Sequence, residues 1–181
     1  TLSPSSAASD VYKRQGFLQL DPLPLLQELY DFYLPLAEEG QVTLTLETPA
    51  ALPGLTGDRA LLFEALSNLL SNSIKFTPPG GEVILRATDD NGSPLIEVLD
   101  TGPGIPEAER VAVFQRFYRV DDKHSGFGLG LSIVAAIVNL HGFSLEVNNR
   151  ESPGARLTLH CRHSQITVSY THLTLPTTET D

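Results

Sequence analysis

The chain has 181 residues, 41% of them hydrophobic, so it is long enough for one well-buried core and too short for two large ones. Its formal net charge of −10 disfavours non-specific binding to DNA, RNA or anionic lipid, because an acidic protein repels phosphate groups. Cys161 is the single cysteine, which excludes an internal disulfide and a cysteine-based metal cluster and favours a reducing compartment. No apolar run approaches the roughly 18 residues of a membrane-spanning helix, and the polar N-terminal residues do not predict a signal peptide. We therefore expect a cytoplasmic domain without membrane contact.

The two ends of the chain lack a periodic apolar pattern that would tie them to a core. Residues 1–15 are polar and rich in serine, and residues 166–181 become rich in threonine after a few strand-favouring side chains. The end sequences SAASDVYKRQ and TVSYTHLTLPT resemble peptides translated from cloning adapters. We predict one domain at residues 16–165, between two tails that are unstructured or adapter-derived.

Between these tails, helical and strand periods alternate. Residues 22–37 place leucine and aromatic side chains at helical spacing, behind Asp21 as a candidate cap. Residues 42–46 then alternate apolar and polar side chains, which is the period of a half-buried strand. A second helix is predicted to begin after Asp58 and to continue until Pro78.

The second half of the predicted domain begins with an antiparallel hairpin. Its strands are residues 83–88 and 95–99, joined by the turn signal Asn91-Gly92. A short helix, a glycine-rich loop, a further helix and two strands follow, with the helices at residues 106–117 and 129–140 and the strands at residues 144–148 and 156–161. This mixture predicts an α+β fold, a two-layer α/β sandwich with helices on one face of a mixed, mostly antiparallel sheet.

The helix after Asp58 carries polar residues in register. Asn68 and Asn72 are four residues apart and Lys75 follows three later, so all three lie on one face. Asparagine is unfavourable inside a helix because its amide competes with the backbone. One interpretation is a solvated polar stripe. The other is a site where an Asn oxygen binds Mg²⁺ and Lys75 attracts phosphate.

A second candidate site is the sequence DTGPGI, directly after the predicted strand that ends at Leu99. A carboxylate at a strand end, Asp100, can accept a hydrogen bond from an exocyclic amine. Gly102 and Gly104 allow the backbone to approach a flat ring closely. Taken alone, this pattern is equally typical of a plain turn.

A third candidate site is GFGLGL, whose glycines run directly into a predicted helix. Gly126, Gly128 and Gly130 free the backbone to wrap a phosphate, and the N–H groups at a helix N-terminus favour an anion. The spacing matches neither the dinucleotide-binding fingerprint nor the P-loop.

Together these segments resemble the ATP-binding catalytic domain of sensor histidine kinases, in the Bergerat-fold (GHKL) superfamily. NLLSNSIKF resembles the N box, DTGPGI the G1 box, FQRFYR the F box and GFGLGL the G2 box, in the family's order. The resemblance covers roughly residues 16–162 and implies a Bergerat fold with a flexible ATP lid. Phe127, where the family often has a small polar residue, and the short segment 120–125 depart from the pattern and put the lid's motion in doubt.

The resemblance also implies roles for single residues. It assigns Mg²⁺ to Asn72, a polar catalytic role to Asn68 and phosphate contact to Lys75. It places Phe76 beside the nucleotide and gives recognition of the adenine amino group to Asp100. The remaining residues implied to line the ATP site are Gly102, Gly104 and Ile105 in the G1 box; Phe117 and Arg119 in the F box, with Phe114 anchoring the lid; and Gly126, Gly128, Leu129, Gly130 and Leu131 in the G2 box. Arg119 is implied to reach the γ-phosphate.

The implied activity is transfer of the ATP γ-phosphate to a histidine, followed by signalling through a response regulator. None of the five histidines precedes the acidic, basic and proline residues expected around a phosphoacceptor. Family members carry that histidine on a separate dimerisation domain, so we expect the chain alone to be inactive and its parent to be longer, with a membrane anchor as one arrangement. Two alternatives stay open: an ATPase of the same fold, such as those of type II topoisomerases and mismatch-repair proteins, and a nucleotide-sensing module. The ATPases have a glutamate at the position of Asn68 to polarise water.

Overall fold

The computed structural model of the chain describes residues 16–109 and 130–163. Within these ranges the elements are, in chain order, β1 (Leu18–Leu20), α1 (Pro22–Glu39), β2 (Thr43–Glu47), β3 (Leu55–Gly57), α2 (Arg59–Phe76), β4 (Glu82–Asp90), β5 (Ser93–Asp100), a 3₁₀ turn (Glu107–Glu109), α3 (Gly130–His141), β6 (Ser144–Asn149) and β7 (Ala155–His160). No helix in these ranges is long and apolar enough to cross a membrane.

Five strands form one mixed sheet in the order β2-β4-β5-β7-β6. β2 runs parallel to β4, and the other neighbouring pairs are antiparallel. Alternate residues of β4 (Val83, Leu85 and Ala87) are buried against leucines of α1 and α2, so the helices share one face of the sheet. The predicted α+β sandwich with a mixed, mostly antiparallel sheet is confirmed.

Local signals explain where these elements begin and turn. Asp21 caps α1 by accepting a hydrogen bond from Leu23 N at 3.0 Å. Asn91 and Gly92 both have positive φ, 52° and 89°, as a two-residue hairpin turn with right-handed strand twist requires. The predicted hairpin is therefore present, with strands that extend one or two residues beyond their predicted ends.

Two features differ from the sequence interpretation. β1 and β3 form a separate two-stranded antiparallel ribbon that was not predicted, because three residues are too few to show a period. Of the short helix predicted at residues 106–117, the structure describes a 3₁₀ turn over Glu107–Glu109, and the rest lies outside the described residues.

An ion pair on the other face of the sheet fixes the position of β5. Glu97 lies between two core residues of β5 and therefore points away from the helices, yet it is buried. The Nε group of Arg156 on β7 donates to Glu97 Oε1 at 2.6 Å, and the Nη2 atom of the same ion pair lies 2.5 Å from this oxygen. This pairing links the two strands close to Asp100, the last residue of β5.

Candidate functional site

The α2 helix presents the predicted polar face. Its buried side, which includes Leu62, Leu66 and Leu70, packs into the core, and Asp58 caps its start through a hydrogen bond from Leu61 N. Asn68 and Asn72 are half-buried, while Lys75 is exposed in the last turn, where the helix dipole favours a cation. The spacing of the apolar positions thus determines which polar residues of α2 lie outside the core.

The two asparagines of this face differ in what they contact. The Nδ2 group of Asn68 donates to the Glu64 carbonyl at 3.0 Å, so this amide is engaged with its own helix. Within the described ranges, the Asn72 side chain has no hydrogen bond and Lys75 has no ion pair. Asn72 therefore keeps an oxygen for a ligand, and Lys75 keeps its charge for an anion.

Asp100 forms the second part of the site at the end of β5. Its side chain is 5% exposed, and its Oδ1 accepts hydrogen bonds from Gly102 N at 2.9 Å and from Ala155 N at 3.1 Å. Two backbone donors stabilise the charged carboxylate and hold it in one orientation. Its Oδ2 has no hydrogen bond within the described residues, so one oxygen stays available as an acceptor.

The loop after Asp100 lies against the end of α2. A Cβ atom on Gly102 would lie 3.1 Å from the Phe76 carbonyl oxygen and 3.1 Å from Asp100 Oδ1. Glycine leaves room for this approach, which brings the end of the N-box helix and the predicted adenine-binding aspartate together. Phe76 itself is 38% exposed at this position.

Not every predicted site residue lies among the residues that the structure describes. Asn68, Asn72, Lys75, Phe76, Asp100, Gly102, Gly104 and Ile105 lie on α2 or on the loop after β5. Gly130 begins α3, which packs against α2, and Leu131 packs against the core. The other predicted residues, Phe114, Phe117, Arg119, Gly126, Gly128 and Leu129, lie outside the described residues.

Sequence reasoning missed Gly154, which supports the Asp100 loop. Gly154 has φ of 137°, and a Cβ atom there would lie 1.9 Å from the Asp100 carbonyl oxygen. A side chain is therefore excluded by contact with backbone as well as by conformation. The dipeptide Pro153-Gly154 before the last strand was a visible turn signal, although it does not reveal what the turn contacts.

His141 links the end of α3 to the start of α2. It is 2% exposed, its Nδ1 bonds the Ile137 carbonyl at 2.7 Å, and its Nε2 accepts from Asp58 N at 3.0 Å. This pattern requires a neutral ring with its proton on Nδ1. Burial lowers the pKa of His141 below 6.5, although the bond to Ile137 and the charge of Asp58 oppose this. His141 is therefore a buried residue that joins the two helices.

Comparisons with known proteins agree with this geometry. The family described as histidine kinase-, DNA gyrase B-, and HSP90-like ATPase (HATPase_c) matches residues 57–165. The chain is 35% identical over 136 residues to the alginate biosynthesis sensor protein KinB of Pseudomonas aeruginosa, across 75% of this chain and 23% of that protein. It is 34% identical over 137 residues to the sensor protein BasS of Escherichia coli K12, across 75% of this chain and 38% of that protein. The chain thus spans less than half the length of these relatives.

Solved structures give the same result. The mycobacterial sensor histidine kinase MprB matches with a TM-score of 0.70 and 30% identity, over 80% of this chain and 95% of that chain. Full-length ShkA in complex with AMPPNP matches with a TM-score of 0.72 and 27% identity, over 86% of this chain and 35% of that chain. The chain belongs to the histidine kinase-, DNA gyrase B-, and HSP90-like ATPase family, as an ATP-binding catalytic domain of the sensor histidine kinase type.

Proposed function

We propose that this domain binds Mg·ATP and transfers the γ-phosphate to a histidine on a separate dimerisation domain, for relay to a response regulator in the cytoplasm. The observation that carries the proposal is the close packing at Gly102, because it brings the two halves of the site together. Gly102 N bonds Asp100 Oδ1, and a Cβ atom on Gly102 would lie 3.1 Å from the Phe76 carbonyl oxygen. Asp100, held by two backbone amides, supplies the acceptor for the adenine amino group.

The face of α2 supplies the groups for the phosphates. Mg²⁺ fits Asn72, since an amide oxygen without a partner in the described residues is a hard, neutral ligand that leaves other coordination positions for phosphate and water. When bound, this ion supplies charge neutralisation at the phosphates. Lys75 adds a positive point charge, and Arg119, Phe117 and the glycines from Gly126 are proposed, from the sequence alone, to complete the ATP lid and the phosphate cradle.

Hydrolysis is disfavoured at this site. Activation of water needs a group that accepts its proton, and the position one turn before Asn72 holds Asn68, a neutral amide engaged with the Glu64 carbonyl. Transfer to a histidine needs no such base on this chain, because an imidazole nitrogen is itself a nucleophile. Among the described histidines, His141 is buried and bonded at both nitrogens, so it is not an acceptor.

The test combines calorimetric titration with phosphotransfer. The chain should bind ADP and Mg·ATP, turn over ATP slowly alone, and label a supplied histidine-containing dimerisation domain from a sensor kinase. Replacing the acceptor histidine of that domain with glutamine is the control and should abolish labelling. Absence of nucleotide binding would overturn the proposal. Rapid ATP hydrolysis without phosphate transfer to the supplied domain would also overturn it and would show that the chain is an ATPase.

A further inference from the structure

The end of β6 contacts both ends of the loop that follows β5. Asn149 Oδ1 accepts a hydrogen bond from the backbone N–H of Ile105 at 2.9 Å. The next residue, Arg150, donates from Nη1 to the Asp100 carbonyl at 3.2 Å. Residues 101–105 form no helix or strand. Bonds between Thr101 and Glu82 hold the start of this loop, and the bond from Ile105 N to Asn149 holds its far end.

The β6–β7 hairpin, which carries Asn149 and Arg150, is itself bonded to Asp100. Arg150 N donates to the Gly154 carbonyl at 3.0 Å, and Ala155 N donates to Asp100 Oδ1 at 3.1 Å. Asn149 pairs with Ala155 in the β6–β7 register. Asn149 is therefore connected to the carboxylate of Asp100 through the paired residue Ala155.

Gly104 gives independent support for a close contact at Asn149. Its φ is 75°, and a Cβ atom on it would lie 2.9 Å from Asn149 Oδ1. Glycine tolerates both the conformation and the approach, so the loop is shaped to admit the asparagine amide. Gly104 was predicted to let the loop backbone approach the adenine ring closely, and this contact identifies Asn149 as its neighbour on β6.

We propose that Asn149 is a positioning residue for adenine recognition. It holds the Ile105 end of the loop so that Asp100, at the other end, keeps the orientation in which its carboxylate accepts from the adenine amino group. The inference rests on the proposed function, and it adds a residue from β6 that contacts neither the phosphate-binding face of α2 nor Asp100 directly.

The experiment measures ADP and GDP affinities of the full chain by titration calorimetry, with melting temperature in parallel. Asn149→Ala should weaken ADP binding about three- to tenfold, the range expected for one hydrogen bond, and leave the weaker GDP binding unchanged. Asn148→Ala is the matched control, because this neighbouring asparagine of β6 is exposed and its side chain has no hydrogen bond within the described residues. Asn149→Asp keeps the acceptor oxygen and should restore ADP affinity.

The two proposals fail in different ways. A wild-type chain that binds no ADP contradicts the proposed function. If the wild type binds ADP, but the ratio of ADP to GDP affinity is the same in Asn149→Ala as in the wild type, only the positioning role is overturned. Equal weakening of both nucleotides with a lowered melting temperature, or no recovery in Asn149→Asp, also overturns it, because the role would then be structural or unrelated to the acceptor oxygen.

Discussion

The two halves of the candidate site are built in opposite ways. The first half, here called the wall, consists of residues 100–105 with Gly154 and Ala155. At the wall, the backbone amides of Gly102 and Ala155 hold the Asp100 carboxylate before any ligand binds. On the face of α2, Asn72 and Lys75 have no such partners within the described ranges and project from a helix fixed by its apolar side. One half is pre-organised by hydrogen bonds, and the other leaves polar groups for the ligand to satisfy.

This difference follows from what each half is proposed to bind. A flat base is recognised by a hydrogen bond of fixed direction, so an acceptor that does not need to reorganise lowers the entropy lost on binding. Mg²⁺ and the phosphates interact strongly with an amide oxygen and an ammonium group, so Asn72 and Lys75 need no protein partner before the ligand binds. A substitution that displaces the backbone of the wall should therefore act on folding, whereas a substitution of the Asp100 carboxylate should act on recognition of the base. A substitution of Asn72 on α2 should act on the metal-dependent part of binding.

The largest effect is expected from Gly154→Ala at the wall. The added methyl group would meet the Asp100 carbonyl at 1.9 Å, so the backbone must move, and we expect a loss of about 4 kcal/mol or more in the free energy of unfolding. Urea denaturation measures it. Gly92→Ala is the control, since Gly92 also has positive φ but nothing within 4 Å of the added carbon. Equal losses in the two variants would show that conformation alone matters.

Asn72→Ala should remove metal-dependent binding at the face of α2 without affecting the fold. Because the proposed ligand oxygen is removed, Mg·ATP affinity should fall at least about 100-fold, more than for residues that only support a metal ligand. Calorimetry with and without Mg²⁺ measures this effect, and binding of metal-free ADP should change little. Ser71→Ala, a half-buried neighbour on α2, is the control. Full Mg·ATP affinity in Asn72→Ala would refute the metal assignment.

Asp100→Asn tests whether the pre-organised carboxylate recognises the adenine base. The amide keeps an oxygen for the two backbone donors but replaces the other oxygen with a donor, so ADP affinity should fall about 10- to 100-fold while the fold persists. Asp89→Asn, at the far end of the β4–β5 hairpin, removes the same charge outside the site. If both variants bind ADP like the wild type, adenine recognition lies elsewhere.

The sequence predicted the parts of this fold that depend on local pattern. The apolar spacing of α2 and the Asn91-Gly92 turn are local features, and the resemblance located Asp100 and its glycines. The β1–β3 ribbon was missed because each strand has three residues. Gly154 and Asn149 were missed because their importance lies in contacts with Asp100 and Ile105, which are distant in the chain. Long-range contacts of this kind leave no periodic signal in a single sequence.

The smallest effect concerns His141, which joins α3 to the start of α2. Burial lowers its pKa below the ordinary value of 6.5, so the unfolded chain binds a proton more readily than the folded chain. Stability contributed by this residue is therefore complete above pH 6.5 and is lost as the pH falls from 6.5 towards the folded pKa, by at most about 1.4 kcal/mol per pH unit. Urea denaturation between pH 7.5 and 5, values chosen to bracket the ordinary histidine range at roughly 6.5, measures the slope. In His141→Gln the overall stability should be lower and this part of the slope should vanish, because glutamine does not titrate. A slope that persists in the variant would assign the pH dependence to other groups and leave the neutral His141 ring as a packing element alone.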